Sequence, residues 1–156
     1  TIAPAEVSED VAKEAHELAL RLAQGFELAG ILAIELFVTK DERVIVNELA
    51  PRPHNSGHYT IEACSFDQFD AHIRGIAGWP LEQPELLKPA VMVNVLGQHV
   101  APTRALIAEH PEWNMHDYCK AEVRHDRKMG HITVLTDDTR QTVADLERTG
   151  CWDDLK

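Results

Sequence analysis

The chain is short of cysteine, short of aromatic residues and, above all, short of positive charge. Its three cysteines, Cys64, Cys119 and Cys151, are odd in number and far apart. That excludes a disulfide framework and the paired spacing of a metal knuckle. They read as structural or incidental thiols of a reducing compartment, and the expected location is the cytoplasm. Against 26 Asp and Glu stand 15 Lys and Arg, for a formal net charge of -11. General DNA or RNA binding needs a broad cationic face and is excluded on that balance; a local phosphate pocket is not. No apolar run is long enough to span a membrane, no signal-peptide pattern is present, and there is neither a repeat nor a low-complexity tract. An initiator Met is also missing. Thr1-Ile2-Ala3-Pro4-Ala5 runs straight into a helix start at Ser8, which reads as a chain entered in mid-domain, with processing as the bland alternative.

What is present is a foldable composition: 156 residues, 44% hydrophobic and 26% charged. This allows one ordinary core, or part of a core and a small second lobe. Val11, Ala15, Leu18, Ala19, Leu22, Ala23 and Phe26 recur at three and four, predicting a helix from Val11 to Leu28 behind a Ser8 cap. Strand-length apolar runs follow at 31–38 and 43–49, separated by Thr39-Lys40-Asp41-Glu42, and predict a hairpin. Ser65 with Gln68 forms a capping-box pattern ahead of a helix that Gly78 closes. A proline-rich passage, 80–89, leads to a strand at Ala90–Leu96, a helix led by Pro102 over 103–109, a strand at 131–135 and a last helix from Thr139 or Arg140 to Arg148. The expected fold class is α+β, helices on mostly antiparallel sheet, with units at 1–84 and 85–156 and a natural end at or near Lys156. Trp79 and Trp113 are expected to serve core or inter-lobe packing.

Glu35 interrupts an otherwise apolar strand, and a carboxylate placed there calls for a partner. With a four-residue turn, Val38 faces Arg43 and Glu35 faces Val46. Glu48 then lies diagonally across the same face, with Cβ atoms roughly 7 Å apart. A register two residues away sets the two glutamates directly opposite. Either arrangement suits a cation between the oxygens, and an oxygen-rich set with Asn47 as helper suits Mg²⁺, with Mn²⁺ as the alternative, better than zinc. The bland reading is an ordinary salt bridge on an edge face.

Pro51-Arg52-Pro53-His54-Asn55-Ser56-Gly57-His58 follows directly. Arg52 offers a rigid fork for phosphate or carboxylate, the Asn55-Ser56-Gly57 backbone can form an anion nest, and His54 and His58 can donate hydrogen bonds or move protons. A rigid surface turn is the bland alternative. Between Lys120 and His131 the acidic chain holds a cationic excess, Lys120, Arg124, His125, Arg127, Lys128 and His131. It is long enough to grip one phosphate monoester and too short for a nucleic-acid track; the bland reading is a solvated turn with ordinary ion pairs.

The string Ala33-Ile34-Glu35-Leu36-Phe37-Val38, with Asn47-Glu48-Leu49-Ala50-Pro51-Arg52-Pro53-His54-Asn55-Ser56-Gly57-His58-Tyr59-Thr60, closely resembles the N-carboxyaminoimidazole ribonucleotide synthase branch of the ATP-grasp family. Tyr118-Cys119-Lys120-Ala121-Glu122-Val123-Arg124 and Arg127-Lys128-Met129-Gly130-His131-Ile132 resemble its small C-terminal α/β lobe. The resemblance implies an ATP-dependent carbon–nitrogen ligase of purine biosynthesis that uses ATP, bicarbonate and aminoimidazole ribonucleotide. It implies Glu35 and Glu48 as magnesium carboxylates between ATP phosphates, with Asn47 beside them. Arg52, Asn55, Ser56 and His58 would form the floor where carboxyphosphate meets the aminoimidazole, with Arg52 and His58 as the catalytic residues and His58 either transferring a proton or orienting the intermediate. Lys120, Arg127 and Lys128 would receive the ribose phosphate. A full family member also carries an N-terminal phosphate-binding lobe and a central glycine-rich flap, and these 156 residues are expected to lack both. The chain alone is therefore expected to be inactive without that part, and the family's usual homodimer is a further expectation. The competing readings are another ATP-grasp carboxylase or ligase, and a non-catalytic interaction module of the same fold.

Overall fold

The computed structural model describes residues 1–155, so Lys156 and the expected chain end there lie outside the described residues. In chain order the elements are β1 (Ile2–Ala3), α1 (Glu9–Gly25), β2 (Ala33–Val38), β3 (Val44–Ala50), α2 (Thr60–Ala63), α3 (Gln68–Ala77), β4 (Ala90–Leu96), α4 (Val100–Leu106), β5 (Asn114–Asp117), β6 (Lys128–Leu135) and α5 (Thr139–Arg148), with short 3₁₀ turns between them. The strands form a four-stranded sheet in the order β1-β4-β6-β5 and a two-stranded sheet, β2-β3. Every pairing among the described residues is antiparallel. The α+β expectation holds.

Two compact units divide the chain. One contains residues 5–61 and 65–85; the other contains residues 1–4, 62–64 and the chain from Leu86 onward. In the first, α1 packs against both strands of the β2–β3 hairpin. Ser8 caps α1 by accepting from the Val11 N–H at 3.4 Å. The helix stops at Gly25, short of the expected Leu28, because Glu27 turns left-handed (φ 48°). The Leu28 N–H then closes back on the Ala23 carbonyl at 2.9 Å. The α3 helix seats against the entry to β2 through glycine: a Cβ on Gly75 would come within 2.7 Å of the Gly30 backbone nitrogen. Ile31 N–H donates to His72 Nδ1 at 3.1 Å beside that contact.

The expected Ser65 cap is wrong. Asp67 caps α3, its Oδ1 accepting from the Phe69 and Asp70 N–H groups at 2.7 and 2.8 Å. A carboxylate that satisfies two orphan donors is the stronger cap. Ser65 Oγ instead accepts from the Glu85 N–H. Trp79 is 63% exposed and lies in no core of the described residues, another departure from expectation.

The second unit is built on β4 and β6. Val91, Val95, Ile132 and Val134 from these strands meet Leu146 of α5 and the side chains of Trp113, Cys151 and Trp152 in one core. The two indoles pack edge to face at 5.9 Å, a favoured aromatic geometry. Trp152 Nε1 donates to the Asn94 carbonyl at 2.9 Å, so its single polar group is satisfied inside. The helix expected at 103–109 is α4 followed by a 3₁₀ turn over Ile107–Glu109. It begins at Val100, with Pro102 in the first turn, where a missing N–H costs no intrahelical bond. β1 and β5 have no sequence signal: one is two residues long, the other is Asn-Met-His-Asp. Replacing Trp152 by Ala should remove about 3–5 kcal/mol of stability, the usual consequence of emptying a buried aromatic site. Urea unfolding followed by tryptophan fluorescence would measure it.

Candidate functional site

The hairpin register decides how the two carboxylates meet. Val38 pairs with Val44, so the connection is one residue longer than expected. The pairing then shifts between Glu35 and Leu36: Leu36 faces Val46, and Glu35 faces Glu48. Asn47 is the extra residue, a β-bulge on β3. Together these two slips move the expected diagonal pair to directly opposite positions on one face, where Cβ atoms stand about 4.5–5.5 Å apart.

Like charges so placed repel, and the surroundings show how one of them is offset. Asn47 Nδ2 donates to Glu35 Oε2 at 3.2 Å. His54 Nε2 stands 3.5 Å from Glu35 Oε1. The Glu35 side chain is 44% exposed, so the carboxylate is not forced into a dry interior as its apolar neighbours suggested. Glu48 and Asn47 are exposed. Two carboxylates facing one another with water access form an oxygen-only donor pair. Magnesium takes one or two carboxylates and keeps waters and phosphate oxygens for the rest of its sphere, so these residues fit it. Among the described residues there is no group of three or more His, Cys, Asp and Glu placed to hold a metal ion.

The loop after β3 is fixed from inside. His54 caps the 3₁₀ turn Asn55–Gly57, its Nδ1 accepting from the Ser56 N–H at 3.4 Å and lying 2.9 Å from Ser56 Oγ. That leaves the His54 Nε2 edge directed at Glu35. Arg52 is exposed and folds its guanidinium back to the Pro53 carbonyl at 3.1 Å. Asn55 lies within the same turn, and Thr60 Oγ1 donates to the Gly57 carbonyl at 2.6 Å. Gln68, from the first turn of α3, is buried and reaches both His54 and His58. No pattern in the sequence marks Gln68 as part of this loop, because the contact spans ten to fourteen residues and depends on α3 docking. The closeness of His54 to Glu35 was equally unmarked. Glu35, Asn47, Glu48, Arg52, His54, Asn55, Ser56 and His58 thus belong to a single unit.

Lys120, Arg127 and Lys128 belong to the other unit. Lys120 lines a cavity of about 230 Å³ with Arg104, Asp117, Cys119 and Met129. Its Nζ donates to the Lys128 carbonyl at 2.6 Å and lies 5.5 Å from the Tyr118 ring centre. Arg127 Nη1 donates to the Glu122 carbonyl at 3.3 Å, and Arg124 pairs with the Glu122 carboxylate. The Cys119 backbone N–H, followed by Arg104, holds Asp117 below the usual carboxylate range. Sequence reading overlooked Arg104 and Asp117, which join this cavity from α4 and β5. It also overlooked a partly buried polar cluster in which His116 Nε2 meets Glu62 Oε1 at 2.5 Å while the His116 ring stacks on the buried His131 at 4.6 Å.

Comparison with known proteins agrees with this architecture. Residues 1–69 match the ATP-grasp domain, and residues 90–145 match the phosphoribosylaminoimidazole carboxylase C-terminal domain. The chain is therefore an ATP-grasp family member. The N5-carboxyaminoimidazole ribonucleotide synthase of Staphylococcus aureus (strain COL) is 47% identical over 147 residues, covering 94% of this chain and 39% of that protein. A crystal structure of the ADP complex of an N5-carboxyaminoimidazole ribonucleotide synthetase superposes with a TM-score of 0.95 at 42% identity, over 98% of this chain and 41% of that one. The Aspergillus clavatus N5-carboxyaminoimidazole synthase, solved with ADP and 5-aminoimidazole ribonucleotide, gives a TM-score of 0.86 at 34% identity, over 95% and 42%. Within the ATP-grasp proteins, the chain belongs to the N5-carboxyaminoimidazole ribonucleotide synthase family. It spans about two fifths of the length of these relatives. No helix of the described residues is long and apolar enough to cross a membrane.

The packing around Gly57 gives a direct test of the loop geometry. A Cβ there would come within 2.7 Å of Gln68 Oε1, an atom pinned by hydrogen bonding. Gly57→Ala should cost about 1–3 kcal/mol by overpacking. The cost should shrink when Gln68→Ala is combined with it, and a double-mutant cycle by urea unfolding would measure that coupling.

Proposed function

We propose that the chain supplies the cation-holding carboxylates and the acceptor floor of an ATP- and bicarbonate-dependent carboxylase of 5-aminoimidazole ribonucleotide in purine biosynthesis. The reaction transfers the ATP γ-phosphoryl group to bicarbonate, and the resulting carboxyphosphate, or CO₂ released from it, carboxylates the amine of the acceptor. The observation that carries this reading is the directly opposed Glu35–Glu48 pair on a water-accessible hairpin. Such a pair is poor as a structural element and well suited to a divalent cation. Membership of the synthase family narrows the substrate.

Glu35 and Glu48 would hold Mg²⁺, with Mn²⁺ as the alternative, and Asn47 would orient Glu35. A bound cation supplies charge neutralisation on the transferring phosphoryl group. Arg52, Asn55, Ser56 and His58 would line the acceptor side, where a guanidinium and small donors can hold anionic oxygens. Lys120, Arg127 and Lys128 would receive the ribose phosphate, since two ammonium groups and a guanidinium on one segment suit a phosphate monoester. We assign residues 1–84 to the ATP-grasp part and 85–156 to the small C-terminal lobe. We also place the protein in the cytoplasm, in a homodimer of the complete enzyme.

Because the chain spans about two fifths of its relatives, it should show no ATP- and bicarbonate-dependent turnover alone. Phosphate release with 5-aminoimidazole ribonucleotide, before and after adding the remainder of the enzyme as a second chain, would test this. In the complete enzyme, Glu35→Gln and Glu48→Gln should each lower kcat/KM at least about 100-fold with the fold intact. Full activity in both variants would leave an interaction module as the better description. Without metal, Glu48→Gln should stabilise the chain by about 0.2–1 kcal/mol through lost repulsion. Millimolar Mg²⁺ should raise the Tm of the unmodified chain, and the same change should erase that rise, a shift read by differential scanning fluorimetry.

A further inference from the structure

We propose that Gln68 is a positioning residue that locks His58 in its Nε2–H tautomer, so that His58 serves as a hydrogen-bond donor and not as a base at Nε2. The functional half of this statement rests on the carboxylase reading; the tautomer itself does not.

The argument begins with a buried amide. Gln68 is 7% exposed, and its primary amide offers two N–H donors and one acceptor oxygen. Oε1 accepts from the His54 backbone N–H at 2.8 Å. Nε2 donates to the His54 carbonyl at 2.9 Å. A backbone N–H can only donate and a carbonyl can only accept, so these two bonds fix which end of the amide is nitrogen. Turning the amide over would break both. The remaining N–H of Gln68 Nε2 reaches His58 Nδ1 at 2.8 Å. A donor aimed at Nδ1 requires a lone pair there. A neutral imidazole carries one N–H, which must then reside on Nε2.

The ring is held in plane as well as in tautomer. His58 stacks on Phe69, the residue after Gln68, with centroids 5.7 Å apart and an interplanar angle of 18°. The amide itself is anchored through the main chain, since the Gln68 N–H donates to Thr60 Oγ1 at 3.1 Å and Thr60 Oγ1 donates to the Gly57 carbonyl. The first turn of α3 therefore sets the backbone of His54, the packing of Gly57 and the protonation pattern of His58 together. A neutral Nε2–H imidazole donates to an anionic oxygen. It cannot take a proton at that nitrogen. In the carboxylation reading, His58 orients the phosphate or carboxylate oxygens of the intermediate, and proton removal falls to another group.

Imidazole ¹⁵N NMR on the labelled chain, above the pH at which the ring is charged, tests this. The expected result is a protonated Nε2 and an unprotonated Nδ1 for His58, with a tautomer ratio of about tenfold, as one net hydrogen bond sustains. Gln68→Glu keeps the shape and the bond from the His54 N–H but places an acceptor against Nδ1, and should invert the pattern to Nδ1–H. A wild-type His58 protonated at Nδ1, or a folded Gln68→Glu chain whose His58 pattern does not change, would overturn the proposal. Should the variant not fold, coupling through the hydrogen bond between Gln68 Nε2 and His58 Nδ1 in the wild-type chain supports the assignment if present and refutes it if absent. Failure of the complete enzyme to carboxylate aminoimidazole ribonucleotide would remove the carboxylase reading and leave the tautomer standing.

Discussion

Two negative charges held face to face constrain everything around them in this hairpin. Glu35 and Glu48 are direct partners across the β2–β3 ladder, and nothing about strand propensity favours that. The arrangement exists because one residue, Asn47, is bulged out of β3, and the bulge also brings the Asn47 amide to Glu35. Without it, Glu35 would face Asn47, and the two acids would stand on opposite faces of the ladder, as a shift of one residue demands. The bulge is thus a device that aims side chains, and the repulsion it creates is offset locally by Asn47 and His54 and would be offset further by a cation.

The loop that follows inherits its shape from a different element. Its internal bonds, Ser56 N–H to His54 Nδ1 and Thr60 Oγ1 to the Gly57 carbonyl, are short-range and would form a loose turn on their own. Gln68 makes it rigid, because a buried side-chain amide that bonds both backbone groups of His54 substitutes for a strand partner. Gly57 is required where the amide presses against the turn. Under the proposed carboxylase reading, such support from a packed helix would keep the loop's donors in place, since donors that must reorganise stabilise charge poorly.

Much of the fold could be read from the sequence because its signals are local. The stripe from Val11 to Phe26, the β4 run and the Thr139–Arg148 helix are dictated by periodicity and caps. The elements that escaped reading, β1 and β5, are short or polar and exist because β4 and β6 offer edges to pair with. The Ser65 cap failed for a related reason: two candidate caps stood two residues apart, and the carboxylate of Asp67 satisfied more donors. Trp79 shows that residue type alone does not settle burial.

By itself the sequence determined which chemical groups are available: two acids in adjacent strands, a proline-bounded loop of Arg, Asn, Ser and His, and a basic segment in an acidic chain. It also determined the helices whose signals lie within one or two turns. Only the tertiary structure decided that Glu35 and Glu48 meet head-on, that His54 turns toward Glu35, and that Gln68 governs His58. The physical reason is range. Propensity and capping act over a few residues, whereas register, bulges and buried hydrogen bonds are set by how distant segments pack, and one residue of slip reverses a side chain's direction.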